Sequence, residues 1–242
     1  MTLPAQTIQV FHAFNGNPDN VYGLSDGWLE DNESWWDDYI ATTVKRGIKY
    51  VSLHLPSGMP SPPMPWHQLQ IFYSRGRISW LMTAIKRALD EHGIRVYIYM
   101  GSNESFGRLA AEIDDLIDIG FYGAILDHMA IPERYSDLID LHHHYDEGHG
   151  FHIIGEPAPS CYPVPCMALA RWYFAMDETR MALGNRNRYY VGVSGHKYAR
   201  TGGTVLDYSV GLRILAINGA IPIIYGGPRD DRFYNAAVEA WS

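Results

Sequence analysis

Three acidic residues stand where an apolar run ends. Asp127 closes residues 122–127, Glu156 closes residues 151–156, and Asp177 follows residues 171–176. At each position the bland choice would be another Val or Ile. Carboxyls held close together divide their roles. A like charge and an apolar wall raise one pKa and keep that group protonated as a general acid, while its neighbour stays ionised as base or nucleophile. Adjacent strands run ~4.8 Å apart. Acids on two adjacent strands could therefore meet the ~5–5.5 Å separation used in retaining cleavage of a glycosidic bond. The bland alternative is a carboxyl that caps a loop or pairs with an arginine such as Arg180. His54, Tyr99, Asn103, His128, Trp66, Tyr162 and His196 end strands or sit in loops nearby and are candidate substrate-binding residues.

The elements that must position these groups alternate from end to end. Strand-like runs occupy residues 7–12, 49–54, 95–100, 122–127, 151–156, 171–176, 189–193 and 221–225. Between them lie helical stripes. Trp36, Tyr39, Ile40, Thr43 and Val44 follow capping-box spacing at Ser34–Asp37, and Ile78, Leu81, Met82, Ile85, Ala88 and Leu89 end at Gly93. Leu109, Ile113, Leu116 and Ile117 end at Gly120, and Leu138, Ile139 and Leu141 follow Pro132. Eight βα-type units with near-continuously apolar strands imply a parallel sheet covered on both faces. The expected fold is α/β, a single (β/α)8 TIM barrel over residues 1–242, compressed in its second half. An open doubly wound sheet is the competitor. Reactive groups of such barrels sit at the carboxyl ends of the strands, where Asp127, Glu156 and Asp177 all fall.

Residues 120–128, Gly-Phe-Tyr-Gly-Ala-Ile-Leu-Asp-His, resemble the fourth-strand motif of TIM-barrel glycoside hydrolases. Residues 153–156, Ile-Ile-Gly-Glu, look like the fifth-strand motif of the α-amylase family. That resemblance implies Asp127 as nucleophile and Glu156 as acid/base, acting on a carbohydrate. An α-galactosidase-like mapping would take Asp177 as the acid instead. The match covers two short stretches. It departs from the amylase pattern at Ile125, where an Arg is expected, and at Val193-Ser194-Gly195-His196, which lacks a His-Asp pair. A catalytically silent barrel serving as a structural or binding module in a larger assembly is the runner-up.

Other signals narrow the partners. With 27 acidic and 19 basic residues the chain carries a net charge of -8, the wrong sign for a phosphate-backbone footprint, so no nucleic acid is expected. No apolar run reaches the ~20 residues that span a bilayer. The first seven residues lack a signal peptide's basic start and apolar stretch, so synthesis inside a cell is expected and the final location stays open. Cys161 and Cys166 share one loop and are expected to be inert thiols. The run His142-His143-His144 with Asp146 and His149 invites a metal reading, but its position ahead of the fifth strand favours a solvated face, and neither a metal nor a cofactor is expected. Gly202-Gly203-Thr204 and Gly226-Gly227 follow the last two strands, where barrels often hold phosphate. They support a third reading, an enzyme on a phosphorylated small molecule. One chain end, Met1 or Trp241, is expected to pack against the domain or a neighbouring subunit, as in a homo-oligomer or larger protein assembly.

Overall fold

The computed structural model describes residues 3–12, 34–54, 76–101, 106–127, 135–155, 190–193, 212–213, 216–217, 219–225 and 231–242. The strands are β1 (Ile8–His12), β2 (Tyr50–His54), β3 (Arg95–Gly101), β4 (Gly123–Asp127), β5 (His152–Gly155), β6 (Tyr190–Val193) and β7 (Ile221–Tyr225). The helices are α1 (Ser34–Lys45), α2 (Ile78–His92), α3 (Phe106–Ile119), α4 (Tyr135–Leu141) and α5 (Arg232–Trp241), and a π-helical turn, His142–Glu147, continues α4. The seven strands form one parallel sheet in the order β5-β4-β3-β2-β1-β7-β6. This is an α/β, TIM-barrel-like sheet, and it overturns the open doubly wound alternative. A doubly wound sheet sends its helices to both faces, whereas here α1 to α4 all join one core on one face.

Strand alternation separates two cores. Val51, Leu53, Val96, Ile98, Met100, Ala124, Leu126 and Ile153 face the helices and pack with Trp36, Tyr39, Leu81, Ile85, Leu109, Ile113 and Leu138. Residues of the opposite parity, Ile8, Val10, Tyr97, Tyr99, Ile125, Ile154, Tyr190, Ile221 and Ile223, cluster on the inner face. Each fully buried Leu or Ile contributes ~1.5–3 kcal/mol, so both faces hold the sheet in its curl. Gly93, at φ 64°, ends α2 by donating its N–H to the carbonyls of Ala88 and Leu89, a left-handed turn that suits glycine.

The inner face also bends the sheet's two edges toward each other. β5 and β6 share no hydrogen-bonded register, yet the rings of His152 and Tyr190 lie 6.1 Å apart. The expected sixth strand, residues 171–176, would fall between these edges in chain order and lies outside the described residues.

The helical stripes are narrower than the sequence suggests. Val44, Met82, Leu89 and Ile139 are exposed, because each helix buries only the face turned to the sheet. The helix α5 was not foreseen. It buries Ala237, and Trp241 Nε1 donates to the Ala220 carbonyl at 2.7 Å, which ties the carboxyl-terminal segment to the start of β7. Arg46 completes that seam. Its guanidinium donates to Gln9 Oε1 and to Asp231 Oδ1, each at 2.6 Å, and lies over the Tyr234 ring. Gln9 in turn donates to the Ile224 carbonyl at 2.9 Å, so β1, β7 and α5 meet at one buried cation.

Candidate functional site

The strand registers bring chemistry-bearing residues to one end of the sheet. His12 of β1 pairs in register with His54 of β2, and Gly101 of β3 pairs with Asp127 of β4. All four are the last residues of their strands, so they share the carboxyl-terminal mouth. β5 stops at Gly155, the residue before Glu156, and β7 stops at Tyr225, the residue before Gly226. Tyr99 lies one step below the mouth, 9% exposed within the inner core. It therefore forms part of the barrel's filling. Glu156, Asp177, Asn103, His128, Trp66, Tyr162, His196 and both cysteines lie outside the described residues.

The opposite, amino-terminal end is a floor of rings. Tyr50, Tyr97, Tyr122, His152 and Tyr190 stack at centroid distances of 5.4–6.2 Å, several edge to face, and Arg95 lies 4.6 Å over Tyr122. Such contacts favour edge-on and offset geometry. The Tyr97 hydroxyl is 2.5 Å from His152 Nδ1. On the far side of that imidazole, Nε2 lies 3.6 Å from Asp146 Oδ2, and His142 Nδ1 lies 3.3 Å from the same oxygen. His152 thus stands between the Tyr97 hydroxyl on one side and the Asp146 carboxylate on the other. Burial pushes the Asp146 carboxyl up, but the contact with His142, the charge of His152 and the Ile153 N–H together hold it below the usual carboxylate range. Burial is also the main cause that pushes the Tyr97 hydroxyl well above its ordinary range.

This floor corrects the expectation of a solvated histidine face. His143, His144 and His149 are exposed as expected, but His142 is buried and Asp146 is half-buried, because the π-helical turn rotates them onto β5. The i,i+4 spacing of His142 and Asp146 was the available signal; that His152 would complete the cluster was not visible along the chain. Among the described residues no group of three or more His, Cys, Asp or Glu side chains is placed to hold a metal ion. Trp35, Trp36, Tyr39 and Trp80 pack together under the helices, as helix-face aromatics usually do. No helix among the described residues is long and apolar enough to cross a membrane.

No protein-family model matches the chain, and no curated protein does. Among solved structures, a rubisco-like protein from Burkholderia fungorum superposes with a TM-score of 0.52 at 13% identity, over 100% of this chain and 53% of that one. The chain thus spans about half the length of that protein. The homocysteine methyltransferase MmuM from Escherichia coli gives 0.47 at 13% identity, over 98% of this chain and 96% of that one. A putative dihydrodipicolinate synthase family protein from Coccidioides immitis gives 0.44 at 13% identity, over 93% and 68%. The likeness to the first shows a shared TIM-barrel-like fold.

The first of these is not a glycoside hydrolase and no glycoside-hydrolase family model matches, so the glycoside-hydrolase resemblance is overturned, together with the carbohydrate it implied. The motif that suggested it has a packing explanation. Gly120, at φ 102°, closes α3 in a left-handed turn. Phe121 is buried in the outer core and Tyr122 is a floor ring. Gly123 sits where a Cβ would overlap the His152 carbonyl and come 2.7 Å from Tyr97 Cε1. A glycine-aromatic entry into a fourth strand is what this barrel floor requires, whatever the chemistry above it.

Proposed function

We propose that this chain is an enzyme acting on a phosphorylated small molecule at the carboxyl-terminal mouth of a single closed (β/α)8 barrel spanning residues 1–242. The observation that carries the reading is the register that ends β1, β2 and β4 in His12, His54 and Asp127 at one mouth. Asp127 is the general base, and His12 and His54 supply protons or hydrogen bonds to the substrate's developing charge. Gly101, in register with Asp127, leaves that stretch of the mouth without a side chain, as close approach of a substrate requires. Gly226-Gly227, directly after β7, and Gly202-Gly203-Thr204, after β6, occupy the loops that hold phosphate in many such barrels.

Closure is supported by the His152–Tyr190 contact, which spans the sheet's two edges and leaves residues 171–176 as the strand between them. Thermal-shift screening of phosphorylated metabolites against their unphosphorylated parents, followed by turnover assays on the hits, tests the reading. Stabilisation by the phosphorylated members, with turnover lost in Asp127→Asn, is expected. Hits that Asp127→Asn turns over at the unmodified rate would reject Asp127 as the base. A screen without stabilisation or turnover would favour the silent barrel, a module in a larger assembly.

A further inference from the structure

The π-helical turn is the one described segment whose backbone geometry is unusual, and it carries the polar groups that reach into the floor. Leu141 before it and Gly148 after it both have right-handed helical angles, φ -61°, ψ -42° and φ -82°, ψ -40°. The turn thus lies between residues of ordinary helical conformation. What holds it is a set of side-chain contacts. The Asp146 carboxylate faces two imidazoles, His142 at 3.3 Å and His152 at 3.6 Å, and His152 is anchored across β3 by the Tyr97 hydroxyl. The Phe151 N–H to Tyr145 carbonyl bond, 2.9 Å, fastens the end of the same segment. We propose that His142, Asp146, His152 and Tyr97 form an acid-released lock. With Asp146 ionised the turn is held against the barrel floor; with Asp146 protonated the turn lets go while the sheet stays folded.

The groups facing Asp146 come from every packed element. They are His142 on the turn, His152 and the Ile153 N–H on β5, Tyr97 on β3 and, farther into the floor, Tyr50, Tyr122 and Tyr190, with Arg95 stacked on Tyr122. Apart from the two histidines and Arg95 none of these carries positive charge, and no second carboxylate is among them. Acid charges imidazoles as well as neutralising carboxylates. Loss of the Asp146 charge therefore removes the carboxylate that both imidazoles face. The sign follows from the lowered carboxyl. Its contribution is fully present above the ordinary carboxylate range near 3.8 and is lost as pH falls through the lower value of the folded state.

Amide hydrogen exchange of the full chain from pH 7 to pH 2.5, corrected for intrinsic rates, reads the lock directly. Protection over residues 142–153 is expected to fall about tenfold per pH unit once Asp146 begins to protonate, before protection over β2 and β3 changes. Asp146→Asn is expected to show the low protection already at pH 7 and little further change. Glu147→Gln, which removes the neighbouring exposed pair of Glu147 with His143 at 2.9 Å, should behave as the unmodified chain. If Asp146→Asn does not fold, Tyr97→Phe keeps the ring and cuts only the anchor, and should release the turn at a higher pH than in the unmodified chain. Simultaneous loss of protection over the turn, β2 and β3 would overturn the proposal. So would an Asp146→Asn chain with an unmodified pH profile, or a Tyr97→Phe chain that releases at the unmodified pH.

Discussion

The two ends of the curled sheet are built on opposite terms. At the amino-terminal floor, rings stack on one another and a run of polar contacts leads from Tyr97 through His152 to Asp146. At the carboxyl-terminal mouth the strands end in His12, His54, Gly101 and Asp127. Barrels of this kind keep stability at the bottom and chemistry at the top. The contrast teaches that a polar residue in such a sheet must be judged by its end. The same residue types, His and Asp, serve as struts below and as candidate reagents above.

The comparison can be broken most forcefully at the floor. Gly123→Val puts side-chain atoms into the His152 backbone and the Tyr97 ring, and is expected to cost about 3 kcal/mol or more, or to abolish folding, in urea unfolding. A Gly123→Val chain as stable as the unmodified one would mean that β4 and β5 lie farther apart at the floor. Arg46→Ala, at the seam, strands buried Gln9 and releases α5 from β1, for about 2–3 kcal/mol. Calorimetry showing an unchanged Tm would reject the seam as a support. Tyr97→Phe removes one hydroxyl and its hydrogen bond with His152 Nδ1, for about 1–2 kcal/mol in the same unfolding assay.

A finer test uses Tyr145, at the floor's outer edge. Burial first, and then the neighbouring Asp114, push its hydroxyl up to about 12. An unfolded tyrosine ionises near 10, so this group's contribution is intact below pH 10 and disappears as pH rises toward 12. Absorbance titration should show one late-ionising tyrosine fewer in Tyr145→Phe than in the unmodified chain. The smallest effect belongs to the exposed Lys86–Asp90 pair, 2.5 Å apart on α2. Lys86→Ala should change stability by less than about 0.5 kcal/mol.

Much of the fold was legible because its signals are local. Alternating apolar runs and glycine stops located β1 to β5, β6 and β7, and the end of α2 at Gly93 could be read directly. The helix α5 lies beyond the eighth expected strand, and Phe233, Ala237 and Trp241 recur in it at helical spacing. The floor was illegible for a physical reason. His142, Asp146 and His152 are brought together by a π-helical turn and by the β4–β5 register, and neither leaves a periodic trace. The glycine-aromatic motif at residues 120–123 resembles a family signature, but it meets a packing requirement of this floor. Asp127 was visible as an acid at the end of an apolar strand, whereas its place at one mouth with His12 and His54 came from register.

The division between the ends is tested most directly by measuring two variants side by side, Asp127→Asn from the mouth and Tyr97→Phe from the floor. Each is compared with the unmodified chain for Tm and for the Tm increment produced by a saturating phosphorylated ligand from the screen. The account predicts that Asp127→Asn keeps its Tm within about 2 °C, as expected where stability changes by less than about 0.5 kcal/mol, and loses turnover. It predicts that Tyr97→Phe lowers Tm yet keeps both the ligand increment and turnover. An Asp127→Asn chain that melts several degrees lower with turnover intact, or a Tyr97→Phe chain of normal Tm that no longer turns over, would contradict it.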